Sequence, residues 1–285
     1  GVFMIFPSFP VSENLLIYDI KTFFTRDCVP DFVFPGETHN FWECLYVLSG
    51  SVCASGDGRV YNLTRGNMIC HKPMEMHKFY TDSPSGAKIL VFSFSAEGPA
   101  ADKLRDKVFL LAESERSLLE LMLAFAKSSP PVSDCGMTDY LHEPTAEYTE
   151  VIAAYIKLLL LTLAGKGESE KASNDPEAFV FSEAVEFMEK NLAENLKISE
   201  IAAHCNTSVT VLKRIFSKYS GVGIHKYFLK LKLKRASALL SDGRTVTETA
   251  DILGFSDQGY FSKAFRRETG ASPSELKASC FKKFK

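Results

Sequence analysis

The sequence predicts a multidomain α+β protein: an N-terminal β-barrel or jelly roll, a helical middle, and an all-α C-terminal domain built on two helix-turn-helix motifs. Three observations carry this. One pattern is written twice between Lys197 and Lys277. From Phe3 to about Ser95, short β-branched and aromatic runs are separated by Gly, Pro, Asp and Asn, the signature of strands and turns. Beyond Gly98-Pro99 the apolar period lengthens from two to about 3.6, that of a helix.

The size and charge of the chain fit this division. At 285 residues it suits two or three domains rather than one small core. Hydrophobic residues make up 46% and charged residues 24%, as in an ordinary globular protein. The net charge of −2 hides an asymmetry: from Lys197 to Lys285 there are 17 Lys and Arg against 7 Asp and Glu, leaving an acidic body with a basic tail. A basic tail that coincides with a repeat points to nucleic acid. The seven cysteines are scattered and lack any C-x-x-C, which predicts reduced thiols rather than disulfides or structural zinc. Met4-Ile5-Phe6 lacks the flanks of a secretory signal. The run Val151 to Ala164 is shorter than the roughly 20 residues of a membrane span. A cytoplasmic protein, nucleoid-associated when bound to DNA and without membrane contact, is expected.

Residues 1–98 form the expected β-domain. Leu15-Leu16-Ile17-Tyr18, Leu45-Tyr46-Val47-Leu48 and Ile89-Leu90-Val91-Phe92 read as strands. Ser49-Gly50-Ser51 and Ser55-Gly56-Asp57-Gly58-Arg59 read as turns, with glycine supplying positive φ. His39, Glu43 and Gly50, followed by Gly66, Pro73 and His77, resemble the two-part cupin signature, whose histidines and glutamate surround a metal. Phe41 stands where that signature has its second histidine, and Glu75 where it has a glycine. With one imidazole missing, no metal or other cofactor is expected. The polar interior should instead hydrogen-bond a small organic ligand, or its own members, at the mouth of a cupin-like barrel. Phe41, Trp42, Tyr46 and Tyr61 are candidates for its aromatic walls, so His39, Phe41, Trp42, Glu43, Tyr46 and His77 form the candidate effector-binding set. A cupin metalloenzyme or metal-binding module, using His39, Glu43 and His77 and carrying an accessory C-terminal domain, is the alternative.

Residues 99–165 are expected to be a helical dimerisation segment. Leu118 to Phe125 makes one helix, ended by Ser128-Ser129-Pro130-Pro131, and the chain to Pro144 reads as loop. Thr145 to Ala164 is apolar on more than one face and so needs cover on more than one face. One face suits the barrel, and the other suits the same helix of a second chain. Residues 166–175 form a small, charged linker without apolar anchors. Asp175-Pro176-Glu177 then supplies the N-cap, N1 proline and first-turn acid of a new helix.

Residues 176–285 hold the doubled motif. Phe179 to Leu192 should be a bracing helix, with Phe179, Ala184/Val185, Met188 and Leu192 inward. The first unit, 198–219, has Asn206 in its turn, Ser208 as cap and a recognition helix from Val209 to Tyr219. Thr210, Lys213, Arg214 and Ser217 face outward on that helix. The second unit, 246–267, opens on the capping box Thr245-Val246-Thr247-Glu248 and turns at Gly254. Ser256 or Asp257 caps its recognition helix, which offers Gln258, Ser262, Lys263, Arg266 and Arg267 to DNA. Between the units, Ile224 to Leu240 is one long helix whose Lys226, Lys230, Lys232, Lys234 and Arg235 are expected to hold phosphates. It would space the readers about one helical turn of DNA apart, roughly 34 Å.

Gly254-Phe255-Ser256-Asp257-Gln258, Tyr260-Phe261-Ser262-Lys263-x-Phe265 and Gly270-x-Ser272-Pro273 resemble the signature of the arabinose-regulator (AraC/XylS) family of bacterial transcription factors. The resemblance implies base contacts from Thr210, Lys213 and Arg214 in the first unit, and from positions near Gln258, Gly259, Ser262 and Lys263 in the second. Gly259 has no side chain, so the first unit is expected to be the stronger reader. The DNA-binding set is thus Ser208, Thr210, Lys213, Arg214, Ser217, Gln258, Ser262, Lys263 and Arg267. The implied function is that of a dimeric, non-enzymatic, sequence-specific regulator of transcription. Its implied partners are operator DNA, a sugar or other small metabolite as effector, and RNA polymerase.

Overall fold

The computed structural model describes residues 10–81, 83–128, 145–166, 173 and 175–282. The expectations for Met4 to Phe6, for the loop from Ser129 to Pro144 and for most of the linker (167–172 and 174) lie outside the described residues.

Seven strands form the N-terminal domain: β1 (Leu16–Cys28), β2 (Trp42–Gly56), β3 (Arg59–Thr64), β4 (Asn67–His71), β5 (His77–Tyr80), β6 (Ala87–Glu97) and β7 (Val108–Leu110). All pair antiparallel, and β2 organises them. Its first half pairs with β4 and β6, which carry β7 and β1; its second half pairs with β3 and β5. A register shift between Val47 and Ser49 lets one strand serve both groups. Gly50 stands at that bend with φ of 74°, and a Cβ there would lie 2.1 Å from the Gly86 carbonyl oxygen.

Alternation along β2 sorts the side chains. Trp42, Cys44 and Tyr46 face a helical layer made of α1 (Pro99–Asp102), α2 (Glu113–Ser128) and α3 (Ala146–Ala164). Leu45 and Val47, and beyond the bend Val52 and Ala54, face the barrel interior with Leu63, Ile69, Phe79 and Val91. Thr145 caps α3 by accepting from the Tyr148 N–H at 3.2 Å. One face of α3 is buried through Ile152, Ile156, Leu159 and Leu163, while Leu158, Leu161 and Leu121 of α2 remain exposed. Cys28, Cys44, Cys53, Cys70 and Cys205 are free, buried thiols.

The C-terminal domain contains α4 (Pro176–Lys190), α5 (Ile198–His204), α6 (Val209–Ser220), α7 (Ile224–Ser241), α8 (Val246–Ile252), α9 (Gln258–Thr269) and α10 (Pro273–Lys282). The α4 start is as expected: Asp175 accepts from the Glu177 N–H at 3.0 Å, with Pro176 at N1. Its inward face holds Ala184, Val185 and Met188 as expected, but not Phe179. Phe179 is 69% exposed, and Phe181 takes the buried place. The Phe181 ring meets Phe216 edge-on at 5.0 Å and Tyr227 at 5.8 Å. That contact fixes the helix phase on Ala178, Phe181, Val185 and Met188. The turns follow expectation. Asn206 has φ of 50°, and Gly254 has φ of 66° where a Cβ would strike the Ala193 carbonyl oxygen at 1.8 Å.

The two units have separate cores. Phe261, Phe265, Leu240 and Leu253 close the second. The first centres on Phe181, Phe216 and Tyr227 and also takes in Cys53, Val60 and Met76 from the β-domain. The first reading unit and the barrel therefore share one apolar core.

Candidate nucleic-acid interface and ligand site

Helix α6 is amphipathic in the way its sequence dictates: Leu212, Ile215, Phe216 and Tyr219 are buried, while Thr210, Lys213, Arg214 and Ser217 are exposed. Ser208 caps it, accepting from the Val211 N–H at 3.2 Å. In α9 the cap is Asp257 rather than Ser256, accepting from the N–H groups of Gly259 and Tyr260 at 2.6 and 3.2 Å. Gln258, Lys263, Arg266 and Arg267 are exposed there, and Ser262 is half-buried.

These outward groups are not equally free. The Arg214 guanidinium reaches Glu177 at 2.5 Å, and Lys218 reaches Glu177 at 2.9 Å and Asp175 at 3.3 Å. Lys218 and then Arg214 hold the Glu177 carboxyl below its ordinary range. Gln258 accepts from Thr247 at 3.2 Å, and Arg267 pairs with Glu268 at 3.3 Å. Lys213 and Lys263 make no ion pair among the described residues. Glu177→Gln should release Arg214. The pair is largely exposed, so the expected gain in specific DNA affinity is about 0–1 kcal/mol, read by titration of labelled duplex.

The connecting helix α7 departs from expectation. Lys232 is buried and donates to the carbonyls of Glu194 and Leu253, both at 3.0 Å. Lys230 pairs with Glu268 at 3.0 Å and donates to Thr38 at 3.2 Å, and Lys234 pairs with Asp57. Three of the lysines expected at phosphates are thus held within the chain, because burial of an amine requires a partner. Lys226 and Arg235 remain exposed.

Asp57 and Thr38 belong to the β-domain, which grips the first unit at several points. The Asp57-Gly58 turn between β2 and β3 has positive φ at both residues, as a tight hairpin turn requires. Gly58 accepts from the Ser182 hydroxyl at 2.5 Å. Lys78 donates to the Ser217 carbonyl at 2.8 Å, and Ser55 donates to the Tyr219 carbonyl. These donors sit at the C-terminal end of α6, where free carbonyls and the helix dipole favour them. A Cβ at Gly36 would lie 2.0 Å from the Ser220 carbonyl oxygen, so only glycine permits this approach.

On the other side of the same segments lies a polar cluster. In register, Glu43 faces His71 on β4 and Ser93 on β6, inside the barrel. Around it stand His39, His77 and Glu37. His77 Nε2 lies 3.5 Å from both Glu43 and Glu37; His39 Nε2 lies 3.7 Å from Glu43 and 4.0 Å from Glu37. The Nδ1 atoms are engaged with backbone carbonyls, His39 with Phe41 at 3.0 Å and His77 with Glu75 at 3.1 Å. Burial draws the His77 pKa down, but the two carboxylates outweigh it and push it up to about 10. Burial raises Glu43, and the His39 and His77 rings overcome this to hold it far below the carboxylate range.

Of the candidate effector set, His39, Glu43 and His77 come together, and Phe41 stacks on His39 with centroids 3.8 Å apart. Trp42 and Tyr46 do not join them, because strand alternation turns both toward the helical layer. Tyr61 is buried in the barrel core. Sequence reasoning missed Glu37. The spacing Glu37-x-His39-x-x-x-Glu43 was the available signal, obscured by assigning the missing-histidine position to Phe41.

Behind the cluster, Glu75 is buried, accepting from the Lys72 N–H at 2.9 Å and sitting 2.9 Å from His71 Nδ1. Burial raises its pKa, and His71 and Lys72 more than reverse this, so the folded value lies below 4.5. Because the folded pKa is depressed, the stabilisation is present above the unfolded value and is lost as pH falls through the folded one. Acid unfolding followed by circular dichroism should show this loss below about pH 4, and Glu75→Gln should flatten it.

A ligand-type β-barrel fused through a shared core to two helix-turn-helix units defines a DNA-binding regulator with a ligand-binding domain. Residues 20–115 match the family model described as an AraC-like ligand binding domain, and residues 201–279 match that of a helix-turn-helix domain. The chain belongs to the AraC family of transcription regulators, which are not enzymes. The HTH-type transcriptional activator RhaS of Yersinia pestis (strain Pestoides F) is 24% identical over 254 residues, which are 87% of this chain and 91% of the relative. The HTH-type transcriptional regulator GbdR of Pseudomonas aeruginosa (strain UCBPP-PA14) is 38% identical over 92 residues, which are 32% of this chain and 25% of the relative. Among solved structures, an AraC-type transcriptional regulator from Chromobacterium violaceum shows 32% identity over 38% of this chain and 96% of its own, with a TM-score of 0.36. Among the described residues no helix is long and apolar enough to cross a membrane.

Proposed function

We propose that this regulator reads its operator through Ser208, Thr210, Lys213, Arg214 and Ser217 of the first unit and Gln258, Ser262, Lys263 and Arg267 of the second, under control of the β-domain. Arg and Lys suit guanine O6 and N7, Gln suits adenine, and Thr suits a thymine methyl. The division of labour is residues 1–98 for effector binding, 99–165 for dimerisation, 166–175 as linker and 176–285 for DNA. The exposed Leu121, Leu158 and Leu161 support a helical seam between two copies. RNA polymerase is a further partner of the DNA-bound dimer. The effector is a small ligand, a sugar or another metabolite, taken up beside His39, Glu43 and His77.

The observation that carries the control mechanism is the alternation of two short segments. Glu37, His39 and His77 point into the polar cluster, whereas Gly36, Thr38 and Lys78 touch the DNA-binding domain. A ligand that reorganises the first set moves the second. The docked form restrains DNA binding, since it holds Lys234 against Asp57 of the β-domain. Selection of bound duplexes from random sequence gives the operator. Its affinity for the full chain, with and without each candidate effector, tests the control: an effector that binds the barrel and leaves operator affinity unchanged would overturn it.

A further inference from the structure

The polar cluster in the barrel has the wrong spacing for hydrogen bonds and the right spacing for an ion. Its four nitrogen–oxygen separations run from 3.5 to 4.0 Å. A good N–H···O bond needs about 2.7–3.2 Å, and both Nε2 atoms are buried without a hydrogen-bond partner. Four ligands at about 2.0–2.2 Å from a tetrahedral centre lie about 3.4 Å from one another. One donor atom each from Glu37, His39, Glu43 and His77 can be chosen so that all lie within 4.8 Å of one another.

The rings are also set in the required tautomer. With Nδ1–H of each histidine donating to a backbone carbonyl, Nε2 is the atom turned toward the carboxylates, and a metal bound there takes the place of its proton. His39 is stacked on Phe41 at 3.8 Å and His77 on His71 at 4.4 Å, so neither ring is free to turn away. His71 itself is occupied by Glu75 and stands outside the set.

We propose that Glu37, His39, Glu43 and His77 form a binding site for one first-row divalent transition-metal ion of the zinc type. Two carboxylates neutralise its charge, and two imidazoles select it over magnesium and calcium, which prefer oxygen alone. The set contains no thiolate that would favour Cu(I). Glu37 supplies the fourth donor whose lack argued against a metal from sequence. The inference rests on the barrel being the ligand-binding domain, and it adds an ion to the small effector taken up beside these residues.

The test uses the full chain stripped with chelator and titrated with Co²⁺ without DNA, read by visible absorption and calorimetry. The expected result is one Co²⁺ per chain with the intense d–d bands of a four-coordinate site, displaced by Zn²⁺. His77→Ala should abolish those bands. Glu37→Gln, at a partly exposed position where folding is not at stake, should weaken binding by at least about tenfold, since even outer-shell changes cost about 10–100-fold. His204→Ala, at an exposed position of α5 where the ring stacks on Phe187, should leave both stoichiometry and affinity unchanged. Absence of saturable uptake by the folded chain would overturn the proposal, as would uptake indifferent to both His77→Ala and Glu37→Gln. Operator affinity measured on the same preparations reports separately on DNA reading, so failure of the metal site is distinguishable from failure of the regulator.

Discussion

Phe216→Ala is expected to destabilise the chain by about 3–5 kcal/mol, the cost of emptying a closed aromatic site. Phe216 is fully buried, meeting Phe181 edge-on at 5.0 Å and Tyr227 at 5.4 Å. Phe265→Ala, equally buried beside Phe261 at 5.8 Å, should have a comparable cost. The consequences should differ in place. Phe216 shares its core with Cys53, Val60 and Met76 of the β-domain, whereas the core around Phe265 contains no β-domain residue among those described. Hydrogen exchange should therefore show Phe216→Ala loosening α6 and strands β2 and β3 together, and Phe265→Ala loosening only the second unit. Confinement of the Phe216→Ala effect to α6 would mean that the shared core does not couple the domains.

Lys263→Ala and Lys213→Ala should each weaken binding to the selected operator by about 1–3 kcal/mol if they contact bases, and relax preference at one base pair. Both lysines are exposed and without an ion pair among the described residues, so no internal contact is lost with them. Arg214→Ala should cost less than its guanidinium chemistry alone suggests, because that group must first leave Glu177. Each unit thus offers one unpaired lysine, Lys213 or Lys263, and one arginine already held, Arg214 by Glu177 or Arg267 by Glu268. Equal losses on operator and random duplex would place either lysine at a phosphate instead.

Most of the architecture was legible because its signals are local. The capping residues Thr145, Asp175, Ser208 and Thr245 announce helix starts, and Asn206 and Gly254 announce turns, through chemistry confined to a few neighbours. What was not legible depended on tertiary partners. Whether Phe179 or Phe181 turns inward is decided by the distant Phe216 and Tyr227. The lysines of α7 read as phosphate ligands from their spacing, but Asp57, Thr38 and the Leu253 carbonyl lie far away in sequence. The site was half legible. His39, Glu43 and His77 carry a recognisable pattern, whereas Trp42 and Tyr46 are separated from Glu43 only by strand parity, which a residue list ignores.

The restraint imposed by the β-domain is the central claim, and the salt dependence of operator binding by Gly36→Ala tests it most directly. The added Cβ would meet the Ser220 carbonyl oxygen at 2.0 Å and force the barrel away from α6. Hydrogen exchange at the end of α6 would confirm the separation. Release of Lys234 from Asp57 should then tighten operator binding and steepen the slope of log affinity against log salt by about 1, since each phosphate neutralised contributes about −0.9, while Lys230 stays paired with Glu268 of its own domain. An undocked Gly36→Ala protein with the affinity and slope of the wild type would contradict the account.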